Sequence, residues 1–78
     1  MREKKPRLFF SFASTAAALE TEQLCREAGL PGRLVPVPRQ ITAGCGLAWM
    51  TEPSEGERIR AFLTERGAAW QDCVLIDF

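Results

Sequence analysis

Two prolines set two residues apart, Pro36 and Pro38, close the stretch Arg33-Leu34-Val35-Pro36-Val37-Pro38. Residues two apart in an extended strand turn their backbone N–H groups to the same side. Proline has no N–H to offer there. One side of this strand therefore cannot pair, and the strand belongs at the edge of its sheet. With 78 residues, of which 46% are apolar, the chain builds one globular domain near the lower limit of a self-sufficient core. An obligatory edge strand in so short a chain leaves few topologies.

The remaining elements follow from local patterns. Leu8-Phe9-Phe10-Ser11-Phe12 is short, aromatic and flanked by polar residues, and reads as strand one. Leu8, Phe10 and Phe12 turn to one face and Phe9 to the other. Ser14 or Thr15 caps a helix over Ala16–Ala28, which Gly29 closes. At 100° per residue, Ala17, Thr21, Leu24, Cys25 and Ala28 share its inner face, with Leu19 opposite. Leu30-Pro31-Gly32 is a turn, Arg33–Val37 is strand two and Gly46–Thr51 is strand three. Ser54-Glu55-Gly56-Glu57 has the spacing of a capping box. It opens a helix to about Arg66, with Ile59, Phe62 and Leu63 inward and Gly67 at its end. Cys73–Phe78 is an apolar last strand. The order β-α-β-β-α-β predicts an α+β fold, a ferredoxin-like split βαβ sandwich with antiparallel sheet order 4-1-3-2. Strand two is an edge in that order, as its prolines require. Residues 1–7 read as a flexible basic N-terminal tail and residues 8–78 as a single domain.

Lys plus Arg and Asp plus Glu number ten each, so the formal charge is zero. That balance argues against nucleic acid, whose phosphates call for a basic surplus. Arg2, Lys4, Lys5 and Arg7 form the only basic cluster and read as a solvated end. No apolar stretch reaches the length of a membrane span, and the N-terminus lacks the apolar core of a signal peptide. The expected location is the cytoplasm. Three cysteines, Cys25, Cys45 and Cys73, cannot all pair within one chain and read as free thiols. The sequence has neither histidine nor a Cys-x-x-Cys pair, which argues against metal ligation by this chain alone and excludes Cys–His catalysis within it. No cofactor is called for.

Cys45 stands apart, in PRQITAGCGLAW (38–49). Gly44 and Gly46 remove side chains that would shield its sulfur. The predicted topology places Cys45 on the sheet rim where the first helix begins, beside Ser14 and Thr15, with Arg39 on the same rim. A helix N-terminus and a guanidinium both favour a thiolate over a thiol, and the thiolate is the nucleophile. Cys45 is thus expected to be the exposed, most reactive thiol. Plainer readings stand beside this one. The two glycines suit a turn into a hairpin strand, Arg39 suits a solvated surface, and Ser14 and Thr15 suit simple caps. Cys25 and Cys73 read as small buried hydrophobes, and Trp49 as core.

The blocks FSFASTAAALE (10–20), GLPGRLVPVPR (29–39) and TAGCGLAW (42–49) resemble the small selenium/sulfur carrier-like family. The resemblance spans most of the chain, and the Pro-x-Pro-Arg block followed by Thr-Ala-Gly-Cys-Gly is fairly specific. It implies a cysteine-centred carrier, which maps onto Cys45. Such a protein holds a persulfide or perselenide and passes it on; it is a carrier more than a turnover enzyme. Its partners would be a desulfurase-like sulfur or selenium donor enzyme and an acceptor protein. The rival expectation is a small-anion-binding or regulatory interaction module on the same rim. A homodimer is also expected, through the sheet face left bare by the helices or the edge of strand four, with Phe9, Cys73 and Leu75 exposed.

Overall fold

A computed structural model describes residues 5–39, 41 and 45–77. The elements are β1 (Pro6–Ser11), α1 (Thr15–Ala28), β2 (Arg33–Pro36), β3 (Leu47–Thr51), a short 3₁₀ turn (Pro53–Glu55), α2 (Gly56–Glu65) and β4 (Asp72–Asp77). The sheet order is β2-β3-β1-β4, with every neighbouring pair antiparallel. This is the expected α+β arrangement, and β2 is an edge. Just beyond β2, Val37 N–H donates to the Gly46 carbonyl at 2.9 Å. The odd-numbered residues thus turn their donors toward β3, and Pro36 and Pro38 fall on the free side.

α1 begins where the Ser14 side chain accepts from the Ala17 N–H at 3.2 Å, and it ends at Gly29 in the left-handed conformation, φ 70°. Replacing Ser14 by Ala leaves a first-turn donor without its acceptor. It is expected to lower the unfolding free energy by about 1 kcal/mol, read from urea titration, with the fold retained. The buried face of α1 is centred on Ala18, Thr21 and Cys25. Ala17 and Leu24 are only half-buried and Ala28 is exposed, so the inner face is rotated from the expected one. Leu19 is half exposed on the far side, as expected.

α2 departs from the expected capping box. Pro53, with φ already fixed near the helical value, starts a 3₁₀ turn, and α2 follows from Gly56 with no side-chain cap. Ser54 therefore lies inside the turn. Gly56 is buried, and a Cβ there would collide with Leu8 Cδ2. β1 begins at Pro6, inside the segment expected to be a tail, and Arg7 Nη1 pairs with Glu52 Oε2 at 3.0 Å. Residues 1–4 of that expected tail, and Phe78 of the expected last strand, lie outside the described residues.

Apolar side chains line both faces of the sheet. On the helix side Phe10, Phe12, Cys25, Trp49, Ile59 and Leu63 form a closed core. On the other face Phe9, Val35, Ala48 and Ile76 pack with Ile41, which comes from the β2–β3 connection. This second cluster corrects the expected bare face, since Phe9 is fully buried. Cys73 and Leu75 pair with Phe10 and Leu8, so they lie on the helix side and not beside Phe9. Leu75 is exposed there and Cys73 half-buried. The sheet face expected to be bare and to form a dimer is instead covered by this second cluster. Among the described residues no helix is long and apolar enough to cross a membrane.

Candidate functional site

The pairing of β1 with β3 ends at Ser11 opposite Ala48. Leu47, the first residue of β3, consequently has no partner on β1, and on its other side it faces Pro36. Cys45 closes this gap. Its N–H donates to the Phe12 carbonyl at 3.3 Å, just past the end of β1. Its Sγ lies 3.4 Å from both the Leu47 N and the Leu47 O, accepting from the first and donating to the second. The two contacts serve different protonation states. A thiol donates to the carbonyl, whereas a thiolate keeps only the N–H contact.

The Phe12 contact ties Cys45 to the entry of α1. Ser14, the cap, is two residues beyond Phe12, and Thr15 is the first helical residue. Both are exposed. The first-turn N–H groups of Thr15 and Ala16 have no intrahelical acceptor, and this turn carries no acidic side chain. The positive end of this 14-residue helix, with no acidic side chain in its own first turn, thus follows shortly after the residue that binds Cys45.

Cys45 is not the exposed thiol expected from its neighbours. Only 9% of the residue is accessible, and it packs in the helix-side core. The glycines stripped the sequence-adjacent side chains away, but the β1 and β3 backbones and the core take their place. Gly46 is exposed, lacks a positive φ and has nothing within 4 Å of an added Cβ. Gly44 lies outside the described residues. Arg39 is exposed and makes neither an ion pair nor a hydrogen bond among the described residues, so it is not brought onto the sulfur. The structure thus ties Cys45 to Phe12, two residues before the Ser14 cap, and gives Arg39 no bond to the sulfur among the described residues.

The other thiols differ from each other. Cys25 is fully inaccessible, as expected, and burial pushes its pKa up to about 11. Cys73, expected to be buried, is half-buried at the sheet edge, with Arg60 Nη2 3.6 Å from its Sγ. Leu47 and Phe12 were missed because they act through backbone atoms, which residue type does not announce. The signal available was the register: a proline opposite Leu47 and the end of the aromatic strand at Phe12.

A sequence family described as "Putative Se/S carrier protein-like" matches residues 7–75. Among curated proteins, the uncharacterized protein YtiA of Escherichia coli (strain K12) is 38% identical over 52 residues. That alignment covers 65% of this chain and 60% of YtiA. No solved structure matches the chain.

Proposed function

Because the chain belongs to the family described as putative Se/S carrier protein-like, we propose that it carries sulfur or selenium on Cys45 in a reducing, cytoplasmic setting. The observation that carries this reading is the position of Cys45. Its N–H is bound to Phe12 at the entry of α1, and its Sγ faces the Leu47 N–H. An anionic sulfur at this point has a backbone donor in contact and a helix N-terminus close by in the chain path.

The transfer needs no cofactor. The Cys45 thiolate attacks the outer sulfur of a donor persulfide, R–S–SH. A new S–S bond forms at Sγ, the donor S–S bond breaks, and the donor leaves as R–S⁻. Cys45 then carries –S–SH, and the reverse attack by an acceptor thiolate returns it to the thiolate. Selenium takes the place of the outer sulfur in the perselenide case. In this reading donor and acceptor are separate proteins, and they supply any general base, since the chain has no histidine to form a Cys–His pair.

The test is intact mass after incubation with a desulfurase and cysteine. One or more sulfur atoms should be added, and a thiol reductant should remove them. Cys45→Ser should abolish the addition, while Cys73→Ser should retain it. If Cys45→Ser loads as the parent does, the assignment to Cys45 fails. If no mass is added but Cys45→Ser and the parent bind small anions equally, the rim is the anion-binding module expected as the alternative.

Gly46 offers a second prediction. The fold requires glycine there neither for a positive φ nor for space. Gly46→Ala should therefore leave stability unchanged or raise it by up to about 1 kcal/mol. The added methyl stands next to the reacting residue, so loading should slow several-fold. A thermal melt and a loading time course, measured together, check both halves. Equal loading rates would show that partners do not approach over this glycine.

A further inference from the structure

The end of the sheet opposite Cys45 carries a second constellation. β3 runs away from the thiol toward Met50 and Thr51, and there Met50 is the register partner of Arg33 on β2 and of Phe9 on β1. Arg7, two residues before Phe9 on β1, shares the same face. A cavity of about 310 Å³ opens between Arg7, Arg33, Met50 and the Pro31–Gly32 turn. The turn is fixed from two sides. Thr51 Oγ1 donates to the Pro31 carbonyl at 2.9 Å, and Gly32 lies so close to Trp49 that no Cβ fits between them.

The charges in the cavity wall do not cancel. Arg7 is held by Glu52, Nη1 to Oε2 at 3.0 Å. Arg33 is exposed and forms no ion pair among the described residues. Two guanidinium groups and one carboxylate leave one positive charge, carried by a fork that suits a carboxylate. Met50 and Pro31 add apolar wall beside it. We propose that this cavity binds a monocarboxylate with a short apolar body, its carboxylate on Arg33 and its body against Met50 and Pro31. A phosphate dianion fits less well, because its second charge would face Glu52. The shared chemistry comes from either a free small acid or the C-terminal carboxylate of a peptide. The site is independent of Cys45 and stands whether or not the carrier reading does.

The test uses the full chain, labelled with ¹⁵N and titrated with 4-methylpentanoate, 4-methylpentanamide and inorganic phosphate. The acid should move the amide signals of Gly32, Arg33, Met50 and Thr51 saturably, and the amide should not. Arg33→Gln, at an exposed position, should keep the remaining spectrum and weaken binding by about tenfold or more. Arg33→Lys should lose less. Glu52→Gln should tighten binding by freeing Arg7. A peptide ending in a free leucine carboxylate identifies the source. Tighter binding than the free acid points to a protein terminus, weaker binding points to a small molecule, and either supports the carboxylate site. The proposal is overturned if the acid gives no saturable shifts at these residues, or if its amide binds equally well. It is also overturned if phosphate binds more tightly, or if Arg33→Gln binds as the parent does.

Discussion

Replacing Gly32 by Ala should cost at least ~3 kcal/mol and lower the thermal midpoint by at least ~12 °C, a substantial part of the margin of a domain this small. Two independent effects add at this position. Its φ of 135° is a region that L side chains rarely adopt. A Cβ would also stand 2.7 Å from the Met50 carbonyl oxygen and 2.5 Å from Trp49 Nε1. Neither neighbour can yield cheaply. Met50 is held in the β3 ladder, and Trp49 is 2% accessible at the centre of the helix-side core. Gly29 provides the comparison. It too has a positive φ, 70°, but nothing lies within 4 Å of its virtual Cβ. Gly29→Ala should therefore cost only ~1 kcal/mol, the backbone term alone. Denaturant titrations of the two variants separate strain from collision. If Gly32→Ala costs no more than Gly29→Ala, the close approach to Trp49 does not hold.

The contrast between these glycines also marks what the sequence makes legible. Both stand where turn chemistry is visible: one ends an amphipathic helix, the other follows a proline. Their unequal weight is invisible, because it depends on which strand passes beneath the turn. The topology itself was legible. Pro36 and Pro38 remove donors from one side of β2, and the alternation of helical and extended patterns leaves little choice of sheet order. The start of α2 is not legible, because Pro53 and the Ser54-Glu57 spacing compete for the same turn, and the proline's fixed φ prevails. The cover on the outer face is hidden for a different reason. Ile41 sits in a stretch with no periodic pattern, and no local rule says that it folds back over Phe9.

Cys45 was legible as a position and not as an environment. Its flanking glycines and the predicted rim placed it beside the entry of α1, where its N–H meets Phe12. Glycine neighbours, however, govern only shielding by adjacent residues in the chain. The burial of Cys45 comes from packing in the helix-side core and from the Leu47 backbone, both set by register. Arg39 shows the converse limit. A shared rim put it in the same region as the thiol, but proximity at that scale does not make a contact.

Raising the pH from 9 to 11 should destabilise the protein through Cys25. Burial raises the pKa of this thiol from 9.0 to about 11 in the folded chain. In the unfolded chain it titrates near the ordinary value. Below pH 9 both states hold the proton, and the group adds no pH dependence. Between pH 9 and 11 the unfolded state releases its proton while the native state keeps it, so unfolding is drawn forward. The stability present below pH 9 is lost as pH rises through this window, by roughly 2–3 kcal/mol once the folded pKa is reached. The same shift lowers the thiolate population at pH 8 by about a hundredfold, and the side chain is fully inaccessible. Cys25 should therefore resist iodoacetamide until the protein opens, and peptide mapping after brief alkylation should find it unlabelled. Cys25→Ala supplies the control. It removes the titrating group, so the additional fall between pH 9 and 11 should vanish even if the small cavity lowers stability at every pH. An identical pH slope in parent and Cys25→Ala would show that other groups drive alkaline unfolding and that the buried thiol is not coupled to it.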